Sequence, residues 1–272
     1  MLRLLIILLL AAPLLAQQPS VADIEKGIHF IETHTFSDKE NQELLELYKN
    51  LRVADVSDGM DMVGLPNTGL VSPDIQAEWF DRENLSHVFR GIAVTVRYVP
   101  TQRPDRPVGG QDFSEWEGQF YNNWSHEAFT KIIKPGTAIV IDDVEDKDIG
   151  SIGSNNILNW YRAGAVGVVT DAGARDTDEI EIQKVPLYLR KKGRGIRPGR
   201  NEIESINRPI VIGGVLVKPG DVVVADGDGV IIVPRHIAGE VARFAQTILD
   251  KDKASRRQLY ESIGRPLDDT VR

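Results

Sequence analysis

The feature that most constrains this chain is a series of short apolar runs, each cut off by Gly, Pro or Asp. Ala138 to Ile141, Val166 to Thr170, Val185 to Leu189, Pro209 to Ile212, Val215 to Val217, Val222 to Ala225 and Val230 to Val233 are of this kind. Runs this short do not make helices. With apolar side chains at successive positions they read as strands buried on both faces. Phe89 to Val99 is a longer, alternating strand stopped by Pro100. Helical spacing falls between the strands, over Ile152 to Ala163, and again from near Arg235 past Leu249. The predicted class is α/β. No internal repeat or long linker interrupts 51–250, which reads as one domain with 251–272 as a C-terminal tail.

The amino-terminal side reads differently. Residues 1–16 carry Arg3, an apolar run from Leu4 to Leu15, and Ala16, the pattern of a secretory signal peptide cleaved near Ala16. The rival reading, a membrane anchor, needs roughly 20 apolar residues, and Pro13 interrupts this run. Export to the periplasm or the exterior follows, with no stable membrane anchor after cleavage. Residues 17–50 are expected to form a helical extension. Ile24, Ile28 and Ile31, then Leu44, Leu47, Tyr48 and Leu51, supply its apolar spacing, and Ser37 or Asp38 caps its second helix. Asp55 to Met60 begins a further short helix, and Gly64 to Gly69 is a turn.

Pro104, Pro107, Gly109 and Gly110 make 101–113 a loop. Trp116, Phe120, Trp124 and Phe129 then follow near-helical spacing up to Lys134-Pro135-Gly136, as a packing helix or as a cover over a site. The absence of cysteine excludes a disulfide scaffold, a cysteine nucleophile and a thiolate metal site. A net charge of −8 argues against nucleic acid as a partner. His29, His34, His87, His126 and His236 show no metal-ligand spacing. The basic stretch Arg190-Lys191-Lys192-Gly193-Arg194, with Arg197 and Arg200, lies in a Gly-rich loop over 190–208, either solvated or drawing in an anionic substrate.

Two segments following buried strands carry the candidate chemistry. One is the turn Gly150-Ser151-Ile152-Gly153-Ser154-Asn155-Asn156, which opens a helix. Glycines admit a ligand close to the backbone, and the free amides of a helix start favour an anion. The other is Thr170-Asp171-Ala172-Gly173-Ala174-Arg175-Asp176. If the two preceding strands are neighbours, the turn, Arg175 and Asp176 meet at their carboxyl ends, where open α/β sheets bind ligands. On residue chemistry alone, Arg175 and Asp176 read equally as a loop ion pair on a solvated surface.

The ordered set of motifs resembles the RraA-like family, which includes the regulator of RNase E activity A and the 4-hydroxy-4-methyl-2-oxoglutarate aldolases, class II pyruvate aldolases. The motifs are Ala54 to Gly59, Phe89 to Val96, Lys134 to Gly136, Gly153 spaced by 21 residues from Arg175-Asp176, Arg208-Pro209-Ile210, Ile212 to Val215, Val217 to Asp221, and Ala225 to Val230. The resemblance implies a swivelling β/β/α sandwich that assembles as a homotrimer or hexamer. Against compact members of the family, 101–130 reads as an insertion. It further implies a metal-dependent lyase acting on a small 2-keto acid by retro-aldol cleavage or decarboxylation. Asp176 would hold Mg²⁺ or Mn²⁺ largely through waters. Arg175 would grip the substrate carboxylate, and Gly150, Ser151, Gly153, Ser154 and Asn155 would assist binding. The chain departs from that pattern at Ser154, where the aldolases carry an acid. Asp171, Asp178 and Glu179 are substitutes by proximity in sequence, each also readable as a solvated loop residue, and Asp250 or Asp252 corresponds to an acid supplied by a neighbouring subunit. Ser154 also leaves open a catalytically degraded trimer with a binding or regulatory role.

Overall fold

The computed structural model describes residues 19–107, 109–144 and 147–272, so the expected signal peptide at 1–16 lies outside the described residues. The chain divides into two compact units, Met1–Glu32 and Thr33–Arg272. The first contains α1 (Val21–Lys26), which ends at Gly27 with φ at 81°. The helical run expected through Ile31 is therefore not formed. The second unit opens with α2 (Asp38–Tyr48), and Ser37 rather than Asp38 caps it: the Ser37 hydroxyl accepts from Glu40 N at 3.3 Å, while the Glu40 carboxylate accepts from Ser37 N at 2.7 Å.

The remaining elements follow in order. These are α3 (Val53–Met62), β1 (Gln76–Ala77), β2 (Phe89–Pro100), α4 (Phe113–Asn123), β3 (Thr137–Asp142), α5 (Ser154–Ala163), β4 (Ala165–Ala174) and α6 (Thr177–Gln183). Then come β5 (Leu187–Lys192), β6 (Asn201–Ile206), β7 (Ile210–Ile212), β8 (Val215–Val217), β9 (Val222–Asp226), β10 (Gly229–Val233) and α7 (Ala238–Ser262). The expected α/β class holds. One sheet runs β1-β5-β4-β3-β2-β9-β10, parallel from β5 to β2 and antiparallel beyond. The long β2 serves two partners on one edge: Phe89 to Ile92 pair with β9, and Val96 to Pro100 pair with β6. The sheet nearly closes, because Leu70 bridges to Ile231 of β10 while Gln76 and Ala77 pair with β5.

Strand alternation explains why the runs are apolar throughout. On β3, Ala138 and Val140 face the interior of the curled sheet, while Ile139 and Ile141 pack outward with Ile157 and Trp160 of α5. On β9, Val223 and Ala225 face that interior, and Val222 and Val224 pack with α3 and α7. The β7–β8 hairpin fills the interior with Ile210, Ile212, Val215 and Val217. Each fully buried Val or Ile contributes about 2 kcal/mol. Gly59 lets α3 lie directly on α7, since a Cβ there would stand 2.8 Å from Val241 O.

Three sequence expectations change. Asp171-Ala172-Gly173 is strand rather than loop, because Ser151 N and Gly193 N donate to Gly173 O and Ala174 O and keep β4 extended. The basic segment 190–208 is not all loop, since it contains β6. The aromatic helix ends at Asn123 and is followed by a 3₁₀ turn, Ala128–Ile132, because Ser125 and Glu127 are tied to other elements. The last helix runs past Leu249 as expected and ends at Ser262. No helix among the described residues is long and apolar enough to cross a membrane.

Candidate active site

The parallel neighbours β3 and β4 deliver both candidate segments to their carboxyl ends. Ile152 bridges to Ala174, and Arg175 N donates to Ile152 O at 2.8 Å. The turn and the Arg-Asp pair are thus one structure. Gly150 is required there, since a Cβ would meet Arg175 Cβ at 2.6 Å and Gly193 O at 2.9 Å. Asp176 sits just before α6 in the left-handed region, φ 59° and ψ 37°, a conformation that aspartate tolerates better than most residues. This turn takes its carboxylate away from its own helix and toward α5, where Asp176 Oδ2 accepts from Ser154 N at 3.3 Å. Arg175 Nε lies 4.0 Å from Asp176 Oδ2, too far for a hydrogen bond, and the two side chains are 37% and 43% exposed.

The open side of Gly153 completes the geometry. A Cβ there would stand 3.0 Å from Asp176 Oδ2, 3.2 Å from Asn156 Oδ1 and 3.7 Å from Arg175 Nε. Glycine keeps the space between these polar atoms open.

Not every expected residue faces this space. Gly150 N donates to Gly195 O and Ser151 N to Gly173 O, both at 2.9 Å, so neither amide is open to a substrate. The Ser151 hydroxyl donates to Asp143, which also accepts from Asn201 Nδ2 at 2.7 Å and Val144 N at 2.7 Å. Burial pushes the Asp143 carboxyl up from its ordinary value, against the pull of these hydrogen bonds. Ser154 and Asn155 stand in the first turn of α5, Asn155 exposed. Asp171 is buried and accepts from Asp143 N at 3.2 Å, so it is no solvated loop residue. Asp178 and Glu179 are exposed on the first turn of α6. Asp250 accepts from Gln246, and Asp252 lies 3.7 Å from both Arg52 and Arg256.

The basic segment is largely committed to partners. Arg190 pairs with Asp74, Lys192 with Glu78 at 2.7 Å, and Arg194 with Asp148 at 2.6 Å. Arg197, expected in a solvated loop, is buried. Its guanidinium donates to Glu127 Oε1 at 2.6 Å and to the Tyr98 hydroxyl at 2.8 Å. Glu127 also accepts from Asn156 Nδ2 at 2.7 Å and from Trp160 Nε1 at 2.9 Å. A cavity of about 330 Å³ lies here, lined by Tyr121, Ser125, His126, Glu127, Asn156 and Arg197. Sequence reasoning missed the roles of Glu127 and Asn156. The segment carrying Glu127 is anchored by α4, whose Trp116 and Phe120 are buried, and by Ile203 N donating to Trp124 O at 2.7 Å.

A family model described as RraA-like, aldolase/RraA, matches residues 53–232, and the chain belongs to that family. A candidate 4-hydroxy-4-methyl-2-oxoglutarate aldolase of Halalkalibacterium halodurans is 31% identical over 131 residues, 47% of this chain and 61% of that protein. The 4-hydroxy-4-methyl-2-oxoglutarate aldolase of Thermus thermophilus is 27% identical over 108 residues, 38% of this chain and 63% of its own length. The chain thus spans about three fifths of these relatives. RraAS2 of Streptomyces coelicolor, described as an unusual member of the RNase ES inhibitor RraA protein family, shares the fold. Its TM-score is 0.64 at 22% identity, covering 79% of this chain and 98% of that one.

Proposed function

We propose that this protein is a divalent-metal-dependent carbon–carbon lyase that cleaves or decarboxylates a small 2-keto acid. The observation that carries the reading is the convergence of Arg175, Asp176 and the amide end of α5 around the open side of Gly153. The donor set fits a hard cation that keeps most of its waters: a half-exposed carboxylate oxygen beside an amide oxygen. Among the described residues no group of three or more His, Asp or Glu gathers around a common point, and Asp176 would be the charged ligand this chain brings to the space beside Gly153.

When bound, Mg²⁺ or Mn²⁺ supplies Lewis-acid stabilisation of the enolate charge that carbon–carbon cleavage leaves beside a keto group. The chain's own part is positioning. The planar fork of Arg175 matches the two oxygens of the substrate carboxylate. The amides of Asn155 and Asn156, in the first turn of α5, have no acceptors within the helix and face the same anion. The internal bonds of Gly150 and Ser151 fix where that helix begins.

The test is pyruvate release from oxaloacetate and from 4-hydroxy-4-methyl-2-oxoglutarate, with Mg²⁺ or Mn²⁺ and with chelator. Chelator-sensitive turnover that disappears in Asp176→Ala supports the reading; turnover unaffected by Asp176→Ala overturns it. A second reading, a catalytically degraded trimer that binds without turnover, is favoured by Ser154, which brings an amide and a hydroxyl but no charge to the site. Absence of turnover with both compounds, together with no metal uptake by calorimetry, would select it. The proposal includes export after cleavage near Ala16, read by amino-terminal sequencing of the released protein, and assembly as a homotrimer or hexamer, read by sedimentation.

A further inference from the structure

We infer that Asn156 is a further binding residue of this site. Its Oδ1 accepts from the water shell of the cation assigned to Asp176, and the Arg197–Glu127 pair holds it in that orientation. The inference rests on the functional reading above and adds residues that reading does not require.

Glu127 sets the orientation of the Asn156 amide. Its carboxylate faces three donors: Arg197 Nη2 at 2.6 Å, Asn156 Nδ2 at 2.7 Å and Trp160 Nε1 at 2.9 Å. A carboxylate in this setting accepts and does not donate, so only the NH₂ side of the Asn156 amide can face it. The amide oxygen is turned the opposite way, into the space beside Gly153. There Asn156 Oδ1 and Asp176 Oδ2 lie 3.2 and 3.0 Å from the position a Gly153 Cβ would take, with Arg175 Nε at 3.7 Å, so both oxygens border the space that glycine leaves clear. Among the described residues no hydrogen bond is made to Asn156 Oδ1. Ser154 N donates to Asp176 Oδ2 and Arg175 Nε stands 4.0 Å from it, but neither bonds Asn156 Oδ1, so a bound water that donates to both oxygens completes the space.

The pair behind Asn156 is built to stay in place. Arg197 and Glu127 are 6% and 17% exposed, and the guanidinium is also fixed by the Tyr98 hydroxyl and stacked over the Tyr98 and Tyr121 rings. Glu127 touches no atom of the proposed reaction centre and acts through Asn156, which makes it a positioning residue. Such outer partners set ligand orientation and tune metal affinity.

The experiment is Mn²⁺ binding to the full chain by calorimetry, with melting temperatures recorded alongside. The proteins are the native chain, Asp176→Asn, Asn156→Leu, Glu127→Gln and the Asn156→Leu/Glu127→Gln double variant. Asn156→Ala replaces Asn156→Leu if the larger side chain unfolds the protein. Asp176→Asn should abolish binding, and Asn156→Leu should weaken it by about tenfold. Glu127→Gln should weaken binding in the native background and have no further effect once Asn156 is gone, the signature of action through that residue. An unchanged Mn²⁺ affinity in Asn156→Leu, with binding still lost in Asp176→Asn, overturns this inference and leaves the functional reading standing. Equal losses from Glu127→Gln in both backgrounds overturn the positioning role. No Mn²⁺ binding by the native chain, or binding indifferent to Asp176→Asn, overturns the functional reading and this inference with it.

Discussion

The chain holds two arginine–carboxylate pairs that both reach the first turn of α5, and they are built in opposite ways. Arg197 and Glu127 are nearly buried, 2.6 Å apart, and their remaining polar atoms are mostly taken up by Tyr98, Asn156 and Trp160. Arg175 and Asp176 are adjacent in sequence and more than a third exposed, yet 4.0 Å apart with no hydrogen bond between them. The backbone at Asp176 is left-handed, and at Gly150 a Cβ would meet Arg175 Cβ at 2.6 Å, so the second pair is set by close backbone packing rather than by a bond between its own side chains. A buried pair with most of its hydrogen bonds made is architecture. A pair whose own side chains do not bond, with binding capacity left over, is available for chemistry.

The largest effect should come from breaking the closed pair. Arg197→Met leaves the Glu127 carboxylate buried without its cation, and urea denaturation should register a loss of about 3 kcal/mol or more. The matched change in the open pair should behave in reverse. Arg175→Lys should leave stability within about 0.5 kcal/mol. It should cost roughly tenfold to a hundredfold in kcat/KM for keto-acid cleavage, because an ammonium cannot grip both carboxylate oxygens at once. An Arg175→Lys enzyme with native kcat/KM would remove the functional distinction between the pairs.

A third test uses pH and belongs to the closed side, where Asn201 links Asp143 to Ser125. Burial raises the folded-state pKa of Asp143 above its unfolded value. Its favourable contribution is therefore complete below the unfolded pKa and is lost as pH rises through the folded one. In chemical denaturation at acid and at neutral pH, the native chain should lose stability relative to Asp143→Asn as pH increases. A difference independent of pH would mean that Asp143 is not shifted. The smallest effect is Asp176→Asn on stability, within about 0.5 kcal/mol, because asparagine tolerates the left-handed turn, makes no cap bond to α6, and keeps an oxygen that can accept from Ser154 N. A large loss of stability there would make the open pair architectural as well.

The strands were legible because burial on both faces leaves an uninterrupted apolar signature that needs no partner to be recognised. Val222 to Ala225 is strand in the fold as in the sequence, and the alternate assignment of its side chains to two cores follows from period-two geometry. The turn and Arg175-Asp176 were legible as motifs, and parallel pairing of β3 with β4 brings them together. The helix predicted through Ile31 failed because Gly27 adopts a positive φ that local spacing does not register. Asp171 was misjudged because aspartate after an apolar strand looks solvated until the neighbouring segment 143–144 covers it.

By itself the sequence determined the α/β class, most of the strands along the chain and the glycine turn that opens α5, because these depend on local composition and short-range period. Tertiary structure alone decided which charges are free. Arg197 and Arg194 lie three residues apart in one basic stretch, but the first is sealed against Glu127, 70 residues away, and the second sits largely exposed against Asp148. Whether a charged side chain supports the fold or serves the site depends on its distant partner and on how much water remains around it. Neither property is carried by its neighbours in the chain.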